Sequence, residues 1–236
     1  GSPEGDTLRV EYYLPGYEVE ARKLIADPGT TLLANIPLIP KQQTTSRIQV
    51  IDAKTMEGIS GAVISYQDRA LIKTIESGEA GLTEVTLPVG HYEIAAGKWG
   101  FVTKHIELEL STVNEPWVIV LDQGIADDYS LDLGWEVTST ASRGGWVREV
   151  PIGTLYGGKE LNPSSDSDDP GHTCYVTGNG VGPAGAFDLD EGSTLLRSPA
   201  FALEAGRSPA MFMSLWYQVA SGTPGNDTLK VYLENQ

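Results

Sequence analysis

The sequence has a single cysteine, Cys174, so no disulfide can form within the chain. That alone does not fix the compartment, because secreted bacterial β-proteins also do without disulfides. Basic residues are scarce: 16 Lys and Arg face 32 Asp and Glu, a net charge of −16. A surface this acidic repels phosphate backbones and excludes nucleic acid as a partner. No apolar run reaches the roughly 18 residues of a membrane span. No stretch longer than about two turns carries the i, i+3, i+4 spacing of an amphipathic helix. Catalytic signatures are missing as well. His91, His105 and His172 stand in no H-x-x-E, H-E-x-x-H or H-x-H pattern. No G-x-S-x-G elbow is present. Cys174, beside Tyr175 and Val176, reads as a small buried hydrophobe and not as a reactive thiolate. Carboxylates abound, but sequence alone cannot place two of them about a glycosidic bond.

What the chain does contain is β-structure. Hydrophobic residues make up 40%, and 27 Gly and 14 Pro are spread through it, the composition of short strands joined by many turns. The passage LRVEYYLPGY at 8–17 recurs in outline as YEIAAGKWGF at 92–101, each an alternating strand ending on Gly plus an aromatic. Each is followed by a second strand, a turn and an apolar strand, as expected of two related small β-domains. The first copy lacks its front half, so the chain is expected to begin inside a domain. Strands are predicted at 7–14, 17–25 and 31–38, followed by a polar linker, IPKQQTTS, at 39–46. Further strands are predicted at 47–51, 61–66, 70–75, 82–87, 91–96, 102–110 and 117–121, the number and spacing of a sandwich. Alternation is clearest at Ile48-Val50, Val85-Leu87 and Ile106-Leu108-Leu110. The turn at 78–81 supplies residues tolerant of positive φ.

These residues carry a resemblance. Val50-x-Asp52, Gly61-Ala62-Val63, Gly81, Leu87-Pro88-x-Gly90-x-Tyr92 and Gly100-Phe101 resemble the carboxypeptidase regulatory-like domain, a transthyretin-like sandwich. Residues 125–236 resemble a different module. An acidic opening leads to Trp135 and then Trp146, followed by C-Y-V-T-G-N from Cys174 to Asn179 and a D-x-D passage from Asp188 to Leu203. That order is similar to the jelly-roll of the MAM and gingipain-adhesin type carried by large secreted bacterial peptidases. The expected architecture is therefore all-β: the C-terminal part of a first regulatory-like sandwich at 3–40, a complete Ig/transthyretin-like sandwich at 46–123, and a jelly-roll β-sandwich at 125–236. The strand at Asn226 to Leu233 is expected to be followed by more strands beyond Gln236.

The resemblance implies a site and a setting. Hard cations take several oxygen ligands, and related jelly-rolls carry structural Ca²⁺. Asp128, Asp188, Asp190 and Asp227 are the candidate ligands, with Asn179 and Asn226 as further oxygens. The acidic run SSDSDD at 164–169 lacks the Gly and closing Glu of an EF-hand loop and reads as a flexible surface loop. Trp135, Trp146, Trp216 and Tyr217 form either core or a sugar- or peptide-binding platform, with core favoured for strand aromatics. The implied function is non-catalytic: an accessory region of a secreted or surface-attached bacterial zinc carboxypeptidase, contacting its remaining domains. The alternative is an adhesin or carbohydrate-binding module that meets a cell-surface or extracellular protein or glycan.

Overall fold

A computed structural model of the chain describes residues 6–26, 29, 31–68, 71–112, 115–183, 185–203, 210–218 and 228–235. It is an all-β protein. The chain divides into two compact units, one made of Gly1–Ile94 and His105–Val120, the other of Ala95–Lys104 and Leu121–Gln236.

In the first unit, β1 (Asp6–Tyr12) and β2 (Glu20–Ala26) form an antiparallel ribbon registered from Asp6↔Ala26 to Tyr12↔Glu20. The third strand expected here, at 31–38, does not form. The chain just after it, at 39–41, pairs back through Glu18 N–H to the Ile39 carbonyl (2.8 Å) and Lys41 N–H to the Gly16 carbonyl (2.8 Å). Pro37 and Pro40 have no N–H to give to a ladder.

The sandwich follows from β3 (Gln43–Asp52), β4 (Val63–Asp68), β5 (Leu71–Glu76), β6 (Leu82–Pro88), β7 (Gly90–Gly97), β8 (Lys104–Leu110) and β9 (Trp117–Leu121). One sheet runs β6-β3-β9 and the other β5-β4-β7-β8. Period-two alternation sends Ile48, Val50, Ile64, Val85, Leu87, Ile94 and Ile119 into the core. Burying each is worth about 1.5–3 kcal/mol. The stretch at 43–46, expected as linker, instead opens β3. Its Thr45 hydroxyl meets the Thr86 hydroxyl across the ladder (2.8 Å), and Ser46 is buried.

The motif residues have structural work. Asp52 closes the β3 exit turn by accepting the Lys54 N–H (2.7 Å). The Tyr92 hydroxyl donates to the Pro88 carbonyl (2.7 Å), a corner bond four residues back along the chain. Ser77 is buried where the 58–62 turn meets the end of β5. Its Oγ donates to the Ile59 carbonyl (2.6 Å) and accepts the Ala62 N–H (2.8 Å). Ser77→Ala would leave two main-chain groups without partners, each costing about 1–3 kcal/mol. The expected loss is about 2–4 kcal/mol in urea unfolding, and a loss below about 1 kcal/mol would show that this knot is not needed.

The second unit is wound differently. β10 (Glu136–Ser139) pairs with β15 (Thr194–Arg197), β11 (Trp146–Glu149) with β14 (Cys174–Thr177), and β12 (Thr154–Tyr156) with β13 (Lys159–Asn162). Among the described strands of this unit, the first pairs with the last, the second with the next to last, and the innermost two form a hairpin. This nested antiparallel order is the winding of a jelly-roll. Its innermost turn uses Gly157 (φ +58) and Gly158 (φ +78), as a tight primed turn requires. Leu131 and Leu133 are buried here, beside a cluster of aromatic rings.

Candidate functional site

The segment 127–134 is shaped by three aspartates that each cap a main-chain N–H two residues on. Asp127 Oδ1 accepts from Tyr129 (2.9 Å), Asp128 Oδ1 from Ser130 (3.0 Å) and Asp132 Oδ1 from Gly134 (3.2 Å). This folding holds Tyr129 at φ +57, a left-handed conformation uncommon for an aromatic residue. Arg148 on β11 secures the loop by donating to the Tyr129 carbonyl (2.8 Å).

Around it the rings pack edge to face. Tyr129 lies 5.3 Å from Tyr175 and 5.5 Å from Trp135, and Trp135 lies 6.0 Å from Trp99, which meets Phe201 at 6.5 Å. The Trp135 indole donates to Asp127 Oδ2 (2.8 Å), and the Trp99 indole donates to the Ala200 carbonyl (2.8 Å). The rings pack on one another with their indole N–H groups satisfied, but Trp99, Tyr129, Trp135 and Tyr175 are half-buried and Phe201 is exposed. Trp135 therefore belongs to a packed cluster. Trp99, Tyr129, Tyr175 and Phe201 join it without any sequence periodicity that would announce them.

The acidic run expected to be a loose loop packs against this segment. Ser167 N–H donates to Asp166 Oδ1 (2.7 Å), while Asp169 accepts from the Ser167 hydroxyl (2.7 Å) and the Gly171 N–H (3.0 Å). Gly171 sits so close that a Cβ there would lie 2.7 Å from both the Asp128 carbonyl and Ser130 Oγ. Two oxygens in this region, Ser130 Oγ and Asp166 Oδ2, are buried without a hydrogen-bond partner. The nearby Cys174 thiol is at best a weak donor. Burial raises the Asp127 carboxyl, against the lowering effect of the Trp135 and Tyr129 N–H bonds. Burial, then neighbouring Asp166, pushes the Cys174 thiol up to about 12, which keeps it protonated and unreactive. Tyr129 is likewise pushed up to about 12 by burial and then by Asp127.

Of the four aspartates expected to hold calcium, Asp128 lies in this oxygen-rich pair of loops. Asp190 lies elsewhere: its carboxylate is held by the Arg143 guanidinium and its main-chain oxygen accepts the Ser142 N–H (3.0 Å). Asp188 lies two residues before it, its carbonyl close against Gly144. Asp227, with Asn226, lies outside the described residues. Asn179 bridges strands, its amide donating to the Val150 carbonyl (2.9 Å) and to Glu149 (3.0 Å). Among the described residues no three acidic, His or Cys side chains stand together as a metal-holding group. A cation there would draw on Asp128, Ser130 and Asp166, of which Ser130 Oγ and Asp166 Oδ2 are buried without a close hydrogen-bond partner.

Other residues singled out from the sequence stand at the surface. His91 Nδ1 is 3.7 Å from Glu109 Oε2, with both side chains mostly exposed on the sheet. Trp146 is half-buried on β11. Trp216 and Tyr217 are exposed, with the Trp216 indole donating to the Leu161 carbonyl (2.9 Å). Phe212 and Tyr232 are also exposed. No described helix is long and apolar enough to cross a membrane.

Neither a protein-family model nor a curated protein matches the chain, so both resemblances rest on their motifs. Solved structures do show likenesses. A Streptococcal ancillary pilin is 14% identical with a TM-score of 0.38, covering 48% of this chain and 39% of that one. The major pilin subunit of Bacillus cereus is 14% identical with a TM-score of 0.30, covering 53% and 41%. A C-terminal fragment of a pilus adhesin from Lactobacillus rhamnosus GG is 20% identical with a TM-score of 0.26, covering 44% and 43%. The chain thus spans well under two thirds of each. Likenesses this distant assign no function.

Proposed function

We propose that the chain is a non-catalytic, adhesin-type binding module of a secreted or cell-surface bacterial protein, with calcium stiffening its second unit. The observation that carries this reading is the set of aromatic rings left outside the core: Phe212 is 92% exposed, Tyr232 70% and Trp216 57%. Rings of this size gain free energy when covered, and groups of exposed apolar side chains mark surfaces that meet a ligand. Trp216 is also oriented, because its indole N–H is tied to the Leu161 carbonyl. A tethered indole keeps its face available for stacking on a sugar ring or an apolar side chain. The partners would be a glycan or extracellular protein, together with the rest of the parent protein. Attachment to a secreted zinc carboxypeptidase rests on the motif resemblance alone.

The test is binding of the chain to immobilised bacterial and host glycans and to matrix proteins, with Trp216→Ala and Tyr232→Ala alongside. A ligand whose affinity falls about tenfold in either variant supports the reading, the loss expected for one stacking ring. Retention of full affinity in both variants would refute it.

A further inference from the structure

The first unit has a pocket of about 220 Å³ at the end of its sandwich where the last residues of β6 meet the first of β3. Pro15, Gly16, Gln43, Tyr66, Lys73 and Thr86 are among the residues that line it. Its position follows from register: Gln43 faces Pro88 in one sheet, while Tyr66 faces Lys73 in the other. Tyr66 is 9% exposed, and Tyr92 holds its ring edge-on at 6.5 Å. Among the described residues, the Tyr66 hydroxyl, the Gln43 carboxamide and the Lys73 ammonium have no hydrogen-bond or ion partner. Burial pushes the Tyr66 hydroxyl up, so it stays protonated and can donate. Close by, Lys41 binds the Gly16 carbonyl through its main-chain N–H (2.8 Å), with its ammonium beside Gly90.

An unpaired lysine lining a pocket is notable in a chain of net charge −16. The overall field repels anions, so only a site with local cations can keep one. The pocket is smaller than the roughly 300–1,000 Å³ of clefts that take drug-sized ligands, and it suits one residue-sized group. The unpartnered groups that line the pocket are side-chain donors and acceptors, on Gln43, Tyr66 and Lys73. A hydroxyl-bearing ring needs what is present.

We propose that this pocket binds a single acidic sugar residue, a uronate, with its carboxylate on Lys73 and its hydroxyls on Gln43, Tyr66 and Thr86. The test is a ¹H–¹⁵N NMR titration of the full chain with galacturonate, with galactose, and with a tripeptide bearing a free C-terminal carboxylate. The expected result is saturable shifts at Gln43, Lys73 and Thr86 with galacturonate, and about tenfold weaker binding of galactose, the charge-assisted bond being lost. Lys73→Gln should erase that preference. Lys73 lies on β5, at the edge of its sheet, where the change leaves the core untouched. Tyr66→Phe, which keeps the buried ring, should weaken both sugars. Equal affinity for galactose, indifference to Lys73→Gln, or a response to the tripeptide in place of galacturonate would each overturn the proposal. None of these residues belongs to the second unit, so such a failure would leave the reading of Trp216 and Tyr232 standing.

Discussion

Gly81→Ala is expected to cost the first unit about 3–5 kcal/mol. Gly81 ends the short 3-10 turn Glu79–Gly81 at φ +73, where an L side chain pays about 1–2 kcal/mol. Space is the heavier burden. A Cβ at this position would overlap the Val50 carbonyl oxygen and come within 2.9 Å of the Ile59 nitrogen. Those two atoms form the bond from Ile59 N–H to Val50 O (2.8 Å) that fastens the 57–59 loop to β3. Neither is a flexible side-chain end that can swing away, so β3 or the loop must shift. The control is Gly29→Ala, at φ +74 with nothing within 4 Å of the added carbon. It should cost only the conformational part, about 1 kcal/mol. Urea unfolding followed by far-UV circular dichroism separates the two, and equal costs would show that crowding at Gly81 is relieved without penalty.

How much of this was legible in the sequence depends on the distance over which each feature is encoded. The strand at Trp117–Leu121 and the alternation at Ile48-Val50 and Val85-Leu87 are local patterns, and the structure has them where the pattern put them. The turn at 78–81 was equally local, with Ala80 (φ +54) and Gly81 both left-handed. The stretch at 31–38 alternates no worse but has no ladder partner, and pairing is not written in a strand's own composition. The hairpin of β12 and β13 was announced by Gly157-Gly158 between polar-apolar runs, a signal that went unread. The site shows the limit most plainly. Asp128 was marked by its acidic opening, yet the run at 164–169 reads as solvent-facing by composition. Only Gly171, closing against the Asp128 carbonyl and Ser130, brings the two together. The ring cluster likewise unites Trp99, Tyr129, Trp135 and Tyr175 from segments with no common period.

Adding millimolar Ca²⁺ to the EGTA-treated chain is expected to raise the Tm of the second unit by several degrees. A ligand bound only by the native state at about 10 times its Kd contributes about 1.4 kcal/mol, the ratio that about 1 mM calcium gives an extracellular-type oxygen-donor site of Kd about 10⁻⁴ M. Under this proposal two aspartate regions are candidates for the ion, and two substitutions separate them. The buried Asp166 Oδ2 has only the weak Cys174 thiol beside it, near the like charges of Asp169 and Asp128. Asp190 is already neutralised by Arg143. Asp166→Asn should therefore abolish the calcium-dependent rise, and Asp190→Asn should leave it intact. The reverse pattern would move the ion to the Asp188–Asp190 turn, and no rise in the unaltered chain would remove calcium from the proposal. The same variant gives a second readout in EGTA. A carboxylate kept only for its hydrogen bonds lowers stability when amidated, whereas one kept for a cation is a burden without it. Asp166→Asn should accordingly melt no lower than the unaltered chain in EGTA, and well below it in calcium.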